Sequence, residues 1–539
     1  MRSFIRINFF NLFLITLLFL GGLAFSIYNP HKFPVDDGFF YSQIAKNIVF
    51  YGESTFHTIL NTNGYHPLWL IICVIITFLG PDDPDNLLRV IFIVQGIIFL
   101  VTSYFIIRLS QKCNTNPFII IGVLSIFFIG KGSFFLMESF LALLFFIICL
   151  DRFLLHIENK ENLIKAKSFF VTSLIFSLLV LSRLDLIFFV GIYILIVAFV
   201  EIKWNGLKKS IKNICCLFFP LCIIILTYML FNYYFFNIFF PISGLVKSYK
   251  LFTFSIDRLG YLGVILLILS IIFLLIIFLR KSLIKIYNDE IKKIEYILSL
   301  LVGSSLLYSL YICLYIDAAP WYFLINYVSL SIFISYLFKI IQIKISSSIL
   351  EKILMISILI VSILFSFLRA NTNFSIFSKF MFKGSINTQF QKTSPRLDLA
   401  MELKKMLNPK TSILVFDTPG ILAFYTKLNI FPSDGLMNNF NYNRDLLNEG
   451  ALNYFCSKNI NYILAPLPSK EQKIFNGLHL SIEEMIPQYK LTISSPIYKT
   501  SSEPIILEDN NLIKKLKNPL NPKEGKFPTL GLWNLSCFK

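Results

Sequence analysis

Charged residues are scarce in this sequence. Asp, Glu, Lys and Arg make up 15% of the 539 residues, while hydrophobic residues make up 56% and the mean hydropathy is +0.71. A soluble domain has about 25% charged and about 45–50% apolar residues. The composition therefore excludes an ordinary soluble chain and predicts an integral membrane protein, because lipid exposure requires apolar side chains on the surface as well as in the core.

Motifs for several common chemistries are also missing. The nine Cys form no CxxC pair, and the chain has no glycine-rich phosphate loop, no HExxH and no GxSxG. The sequence therefore gives no support to a metal knuckle, a nucleotide-driven mechanism or a serine hydrolase. Cys456 and Cys537 share the polar tail. They can form a disulfide if that tail is extracytoplasmic or remain two free thiols, and the sequence leaves both open.

The net charge of +18 follows the pattern of a membrane protein rather than that of a nucleic-acid binder. Before residue 371, most of the Lys and Arg lie in short loops between apolar runs, at 151–167, 201–213, 280–293 and 339–352. An excess of Lys and Arg marks cytoplasmic loops. The intervening turns, at 183, 235–258 and 317–320, are then predicted to face outward, and no nucleic-acid partner is expected.

The apolar runs predict about 11–12 transmembrane helices. They lie near 8–28, 89–107, 117–130, 133–150, 168–182, 184–200, 211–234, 259–279, 294–316, 321–339 and 349–369. The first run follows two Arg and is interpreted as an uncleaved span with a cytoplasmic N-terminus. The apolar run 66–80 is short for a span, and an interfacial or re-entrant segment is preferred there over a crossing helix. With that choice the C-terminal tail lies outside.

The tail has a different composition. From residue 371 onward polar residues, Pro and Asn are frequent and no spanning run occurs. Strands are predicted at Thr411–Asp417, Leu428–Pro432 and Asn461–Ala465, with helices after Thr418 and at Ala451–Asn459. This alternation predicts a small α/β domain at 371–539, following an all-α membrane domain at 1–370.

The first outer loop carries two adjacent carboxylates, Asp36 and Asp37. Residues 37–51 fit an amphipathic helix at the outer interface, with Phe40 and Ile44 on its apolar face. One interpretation makes an Asp of the pair a general base, tuned by its neighbour or holding a metal ion with it. The other makes the pair a solvated cap of the helix N-terminus. The residue types allow both.

Other charges lie where the membrane ends, and such charges are usually functional because inserting them is costly. Glu138 begins an outer-end helix, and Arg183 is two residues from Asp185, so that these two can simply neutralise each other. Lys247 lies in an outward loop, either as an anchor at the lipid interface or, with Arg183 and His66, as a ligand for a lipid-linked phosphate.

Aromatic residues accompany these charges. Trp321 and Tyr322 are interface anchors by composition, or can stack on a sugar ring. Tyr65 precedes His66 and joins the candidate substrate-binding residues.

The order of these features resembles a known family. The segments that carry the resemblance are Asp36-Asp37-x-x-x-Tyr41, Thr62-Asn63-Gly64-Tyr65-His66-Pro67-Leu68-Trp69, Met137-Glu138-Ser139, Ser182-Arg183-Leu184-Asp185, Pro241-x-Ser243-x-x-x-Lys247, Pro320-Trp321-Tyr322-Phe323, Asp417-x-Pro419-Gly420 and Ser433-Asp434-Gly435-Leu436-Met437. In this order they resemble the GT-C superfamily of polytopic glycosyltransferases, most of all its bacterial arabinofuranosyl- and mannosyltransferase-like branch. The Gly-Tyr-His-Pro form differs from that of other branches, which leaves the donor and the acceptor open.

The resemblance implies a function and a site. A sugar would move from a polyprenyl-phosphate donor to a hydroxyl acceptor in one inverting displacement. The base role falls on Asp36 or Asp37, with Asp36 preferred. Glu138 resembles the second acidic position of the family, and Lys247, followed by Arg183 and His66, would bind the donor phosphate.

The same resemblance implies a setting. The expected acceptor is a glycan, lipid or protein of the cell envelope, on the extracytoplasmic face of a bacterial inner membrane. Some relatives hold a divalent metal ion near the first-loop acid, so that such an ion beside Asp36 and Asp37 stays open. The alternatives are a transporter or flippase of lipid-linked sugars and a non-catalytic scaffold.

Overall fold

The computed structural model describes residues 30–31, 34–128, 136–158, 166–248, 254–283, 289–316, 319–345, 395–416, 419–467, 474–476, 480–485, 488–495, 498, 500–518, 529–535 and 537. The predicted spans at 8–28 and 349–369 and the predicted domain boundary at 370 lie outside these residues.

The described part of the membrane domain is helical. Its helices are α1 (Asp36–Tyr51), α2 (Pro67–Leu79), α3 (Pro84–Cys113), α4 (Pro117–Phe128), α5 (Ser139–Glu158), α6 (Ala166–Ser182), α7 (Ile187–Asn205), α8 (Leu207–Phe236), α9 (Ile242–Lys247), α10 (Gly260–Leu283), α11 (Asp289–Tyr315) and α12 (Leu324–Ile345). Each span predicted between residues 89 and 339 corresponds, over most of its described residues, to one of these helices.

Six helices of the described residues are long and apolar enough to cross a membrane, namely α3, α5, α7, α8, α10 and α11. Helices α2, α6 and α12 are apolar but shorter. The predicted fold class, a polytopic helical membrane protein with a small C-terminal α/β domain, is therefore confirmed. Helix α2 has 13 residues and a length of about 20 Å, against a hydrocarbon core of about 30 Å. Its predicted interfacial placement stays a prediction.

Helix α8 lies on the outside of the helix bundle. Only 11% of its apolar window is buried, which fits side chains that face lipid tails rather than a protein core. Pro220 lies inside the helix, where a proline removes a backbone donor and weakens the helical hydrogen bonds. The next N–H, of Leu221, donates to the Ser173 hydroxyl at 3.0 Å, which ties α8 to α6 at this point.

The tail folds into two sheets. Its elements are α13 (Pro395–Met406), β1 (Ser412–Val415), α14 (Pro419–Tyr425), β2 (Asn429–Pro432), α15 (Tyr442–Glu449), α16 (Ala451–Ser457), β3 (Tyr462–Pro466), β4 (Ile474–Asn476), β5 (Leu480–Met485), β6 (Gln488–Ser495), β7 (Thr500–Ser501), β8 (Ile505–Glu508), β9 (Leu512–Lys517) and β10 (Thr529–Asn534). The first sheet has the order β2-β1-β3-β10-β9, with β1 parallel to β2 and β3. The second is antiparallel and has the order β4-β5-β6-β7, with β8 also paired to β6.

The predicted strands and helices up to Ala465 are confirmed as β1, α14, β2, α16 and β3. The strands after residue 470 were not predicted. Strand β9 shows why, since Leu512–Lys517 is the edge of its sheet and is mostly exposed. Such an edge carries lysines instead of an alternating apolar pattern, because charges prevent pairing with another chain.

Helix α1 is covered by the tail. The Phe39 ring packs against the rings of Phe424 and Tyr425 in α14, with centroids 5.7 and 6.3 Å apart. Asn47, in the same helix, is also buried and donates to the carbonyls of Thr55 and Phe56 at 2.8 and 3.1 Å. Both sides of α1 are thus packed, one against the membrane helices and one against the tail.

The tail also contains the disulfide that the sequence left open, between Cys456 at the end of α16 and Cys537. We expect reduction of this bond to lower the free energy of unfolding of the tail by about 2–4 kcal/mol, because it frees a long loop in the unfolded state. The midpoint of thermal unfolding of the full-length protein in detergent, with and without reductant, measures the effect. A Cys456→Ser variant should show the lower midpoint and no further response to reductant. Equal midpoints for the reduced and oxidised protein would contradict the expectation.

Candidate active site

A cavity of about 730 Å³ lies between the membrane helices and the tail. Its walls come from the first outer loop, the start of α5, the segment before α7, the loop that carries α9, and a loop of the tail. Most of the residues singled out in the sequence line it: Asp37, Tyr65, His66, Glu138, Lys247, Trp321 and Tyr322. Residues far apart in the chain therefore meet around one space.

Asp37 and Lys247 are neighbours in the wall of this cavity. The Asp37 Oδ2 and Lys247 Nζ atoms are 3.8 Å apart, and the two side chains are 29% and 31% exposed, so that a ligand can reach both. Burial acts to lower the pKa of Lys247, but the neighbouring Tyr322 and Asp37 raise it above its ordinary value. Lys247 is therefore a fixed cation at neutral pH.

Glu138 is a buried carboxylate behind this pair. It is 1% exposed and accepts a hydrogen bond from the Tyr41 hydroxyl at 2.9 Å. The His66 Nε2 atom lies 3.8 Å away and an Arg183 Nη1 atom lies 4.0 Å away. Buried charges need such partners, because an unpaired buried carboxylate is strongly unfavourable.

The tautomer of His66 follows from its contacts. The Leu184 N–H donates to the His66 Nδ1 atom at 3.4 Å, so that a neutral ring carries its proton on Nε2, which faces Glu138. Burial is the largest effect on the pKa of His66 and lowers it. His66 therefore offers an N–H group to the cavity at neutral pH.

The guanidinium group of Arg183 makes its hydrogen bonds to acceptors within the protein. Its Nε and Nη2 atoms donate to both oxygens of Asp185 at 2.9 and 3.0 Å, and Nη1 donates to the Trp321 carbonyl. Arg183 is 1% exposed and does not line the cavity, whereas Asp185 does. The Tyr308 hydroxyl donates to Asp185 at 2.6 Å as well. Arg183 thus holds the Asp185 carboxylate and the Trp321 backbone in the cavity wall.

Asp36 has a different environment from Asp37. Its carboxylate oxygens accept the N–H groups of Gly420 and Ile421 at 2.8 and 3.0 Å, at the start of α14, and it does not line the cavity. Burial raises the pKa of Asp36 to about 7, against the lowering effect of the two backbone donors. A Cβ on Gly420 would lie 2.4 Å from the Asp36 carbonyl oxygen. The structure therefore places Asp36, the residue preferred as the base from the sequence, at the contact between α1 and the tail and not in the cavity wall.

The tail completes the cavity with apolar side chains. Those that line it are Leu436, Met437 and Phe440. A Cβ on Gly64 would lie 2.3 Å from the Leu436 carbonyl oxygen, so that the loop and the tail approach too closely for any larger residue. The buried His57 ring contacts the Asn438 side chain at 2.9 Å and holds the same tail loop.

The sequence did not predict the hydrogen bonds that hold the two residues before Glu138 in place. The Gln95 amide donates to the Met137 carbonyl at 2.9 Å and accepts the Leu136 N–H at 3.1 Å, while Trp69 Nε1 donates to the Leu136 carbonyl at 2.7 Å. Leu136 has a φ of 65°, which is unfavourable for a residue with a side chain. The sequence feature that could have indicated this role is Gln95 itself, a polar residue inside the apolar run of α3.

We expect Gln95→Leu to lower the free energy of unfolding by about 2–3 kcal/mol, because it leaves a buried N–H and a buried carbonyl without partners. The thermal unfolding midpoint of the purified protein measures this loss. Gln111→Leu, at an exposed position of the same helix, is the matched control and should change little. Equal midpoints for the two variants would remove Gln95 from this role.

The described residues near the Asp pair do not fit a divalent metal ion. Asp36 faces backbone N–H groups and Asp37 faces Lys247, so that the two carboxylates do not converge on one point. Among the described residues, no group of three or more His, Cys, Asp or Glu side chains could hold a metal ion.

No protein-family model matches the chain, and no curated protein matches it. Among solved structures, it is similar to an apo crystal structure of the Archaeoglobus fulgidus oligosaccharyltransferase, with 12% identity and a TM-score of 0.43 over 84% of this chain and 69% of that one. For the archaeal oligosaccharyltransferase AglB from the same organism, in complex with an inhibitory peptide and a dolichol-phosphate, the identity is 11% and the TM-score 0.40, with the same coverage. A complex of the Archaeoglobus enzyme with Zn and sulfate gives 12% and 0.38, over 83% of this chain and 68% of that one.

Proposed function

We propose that this chain is a membrane glycosyltransferase of the GT-C type that moves a sugar from a polyprenyl-phosphate donor to a hydroxyl acceptor, with Asp37 as the general base. The observation that carries the proposal is the meeting of Asp37, Lys247 and Glu138 in one cavity at the junction of the membrane helices and the tail. A carboxylate, a fixed cation and an apolar wall are the three features that this reaction needs.

The donor fits the cavity by its chemistry. Its phosphate is the leaving group, and Lys247 supplies a fixed positive charge where negative charge develops. The His66 N–H adds a second donor. Apolar and aromatic side chains at the α8–α9 junction, such as Tyr233, Phe239 and Phe240, also line the cavity and are largely exposed on their outer side. A polyprenyl chain in the membrane can pass along them, so that no nucleotide pocket is required.

The reaction is a single displacement. Asp37 takes the proton of the acceptor hydroxyl as its oxygen bonds to the anomeric carbon. The bond from that carbon to the phosphate oxygen breaks, and its electron pair leaves with the polyprenyl phosphate beside Lys247. Attack opposite the leaving group inverts the anomeric carbon. The donor phosphate replaces Asp37 as the partner of Lys247, which frees the carboxylate to act as the base.

The remaining carboxylates suit the sugar. Asp185 lines the cavity and is held rigidly by Arg183 and Tyr308. Glu138 also lines it and keeps one oxygen toward Tyr41. Carboxylate oxygens in fixed positions accept hydrogen bonds from sugar hydroxyls, and fixed partners reduce the cost of ordering them. These two residues are therefore proposed to orient the donor sugar.

Two features support an extracytoplasmic site. Disulfides persist in oxidising compartments, and the tail that closes the cavity carries Cys456–Cys537. The charge pattern of the sequence also supports it, because the basic loops alternate along the chain with the turns that carry cavity-lining residues, as an outward-facing site in a bacterial inner membrane requires. The acceptor is then a glycan, lipid or protein of the cell envelope.

Transfer by the purified protein tests the proposal. The full-length protein in nanodiscs would be mixed with polyprenyl-phosphate donors carrying radiolabelled mannose or arabinose and with envelope extracts as acceptor. We expect the label to leave the polyprenyl-phosphate donor, separated from all products by chromatography, with the wild-type protein and to stay on the donor without it. Movement of the intact donor across the bilayer without cleavage would instead support a flippase and overturn the proposal.

A further inference from the structure

Asn63 is buried and makes hydrogen bonds in three directions. It is 2% exposed. Its Oδ1 atom accepts the Ile242 N–H at 3.0 Å, and its Nδ2 atom donates to the Phe240 carbonyl at 3.2 Å and to the Asn232 Oδ1 atom at 3.3 Å. The side chain therefore connects the first outer loop to the segment that joins α8 to α9. Its three partners lie 169–179 residues further along the chain.

These contacts fall on the helix that carries Lys247. Helix α9 has six residues, from Ile242 to Lys247, and so short a helix has little stability of its own. Its first N–H groups also have no partner within the helix. Asn63 satisfies the N–H of Ile242, the first residue of α9, while the buried side chains of Ile242 and Val246 hold its apolar face.

Asn232 extends the same anchor into α8. That helix is mostly exposed, but Asn232 is 2% exposed and donates to the Phe239 carbonyl at 3.4 Å. Two amide side chains thus satisfy the backbone of the turn between α8 and α9. A buried polar contact of this kind has a strong effect on geometry, because breaking it leaves polar groups unpaired.

We infer that Asn63 is a positioning residue for Lys247: by holding the start of α9, it sets where the ammonium group meets the donor phosphate. The inference rests on the proposed function. Asn63 lies three residues before His66 in the same loop. One short segment therefore positions both groups that are proposed to face the phosphate, the Lys247 ammonium group and the His66 N–H.

Binding of a short prenyl phosphate tests this. Farnesyl phosphate and farnesol would be titrated into the full-length protein in nanodiscs, and the ratio of their affinities reports the contribution of the phosphate alone. We expect Asn63→Ala to reduce this ratio about tenfold, the effect of losing an interaction of about 1.4 kcal/mol. Asn453→Ala, which is exposed on the tail, should leave the ratio unchanged.

A double variant separates positioning from a general loss of structure. In a Lys247→Ala background, Asn63→Ala should cause no further fall in the phosphate ratio, because a residue that acts through Lys247 has nothing left to position. An equal loss of farnesol and farnesyl phosphate binding, an additive double variant, or an unchanged ratio in Asn63→Ala would each overturn the inference. A wild-type protein with no preference for the phosphate would overturn the proposed function itself.

Discussion

Asp37→Asn is expected to lower kcat for sugar transfer by about 10²–10⁴-fold, the usual contribution of a general base. Asn has the same shape but cannot take the proton of the acceptor hydroxyl. Because Asp37 lines the cavity at 3.8 Å from Lys247 and is not part of the buried core, the variant should fold normally. Initial rates at saturating donor, together with the unfolding midpoint, measure the two effects separately.

Asp36→Asn is the matched control for that variant. Its carboxylate binds the N–H groups of Gly420 and Ile421, so that its loss should weaken the docking of the tail by about 1–3 kcal/mol and leave most of kcat. Sensitivity of the tail to protease should rise in this variant. If Asp36→Asn abolishes transfer at full stability while Asp37→Asn retains it, the roles of the two residues are the reverse of those proposed.

Lys247→Met is expected to lower kcat by about 10²–10³-fold, because a fixed cation at the leaving group is removed while the length of the side chain is kept. Lys247→Arg should recover part of the loss, since it restores the charge but presents a planar fork in place of a point charge. Rates with polyprenyl-phosphate sugar measure both. Lys208→Met, at an exposed position in the first turn of α8, is the control and should transfer at the wild-type rate. A Lys247→Met enzyme with normal kcat would exclude this residue from leaving-group stabilisation.

The membrane helices could be predicted from the sequence because their signal is local. A run of apolar residues at helical length identifies a span wherever it occurs, as it does for α3 and α8. Strand β1 and its neighbours were predictable for a similar reason, since buried parallel strands are short apolar runs. Strand β9 was not, because an exposed edge strand with three Lys carries no such pattern.

The site residues could be named for a different reason. A charge at the membrane edge is costly, so that Glu138 and Lys247 stood out in an apolar chain without any knowledge of their neighbours. The choice between Asp36 and Asp37 could not be made in this way. It depends on the N–H groups of Gly420 and Ile421, 384 and 385 residues away, and no local pattern reports a contact at that distance.

The contacts that position the site were equally hidden. Gln95 and Asn63 act through backbone groups of other segments, and any segment offers such groups. Sequence can show that a polar side chain is out of place in an apolar run, but not which carbonyl it meets. The tail wall of the cavity is a further case, since Leu436 and Met437 are ordinary apolar residues until the fold brings them over Gly64.

A structure of the full-length protein in nanodiscs with a polyprenyl phosphate bound would test the central claim most directly. We expect a phosphate oxygen about 3 Å from the Lys247 Nζ atom, the prenyl chain along Phe239 and Phe240, and the Asp37 carboxylate separated from Lys247 and turned toward the space for the acceptor. A phosphate held at the other end of the helices, for example beside Arg108 and Lys112, with the Asp37–Lys247 pair unchanged, would contradict it.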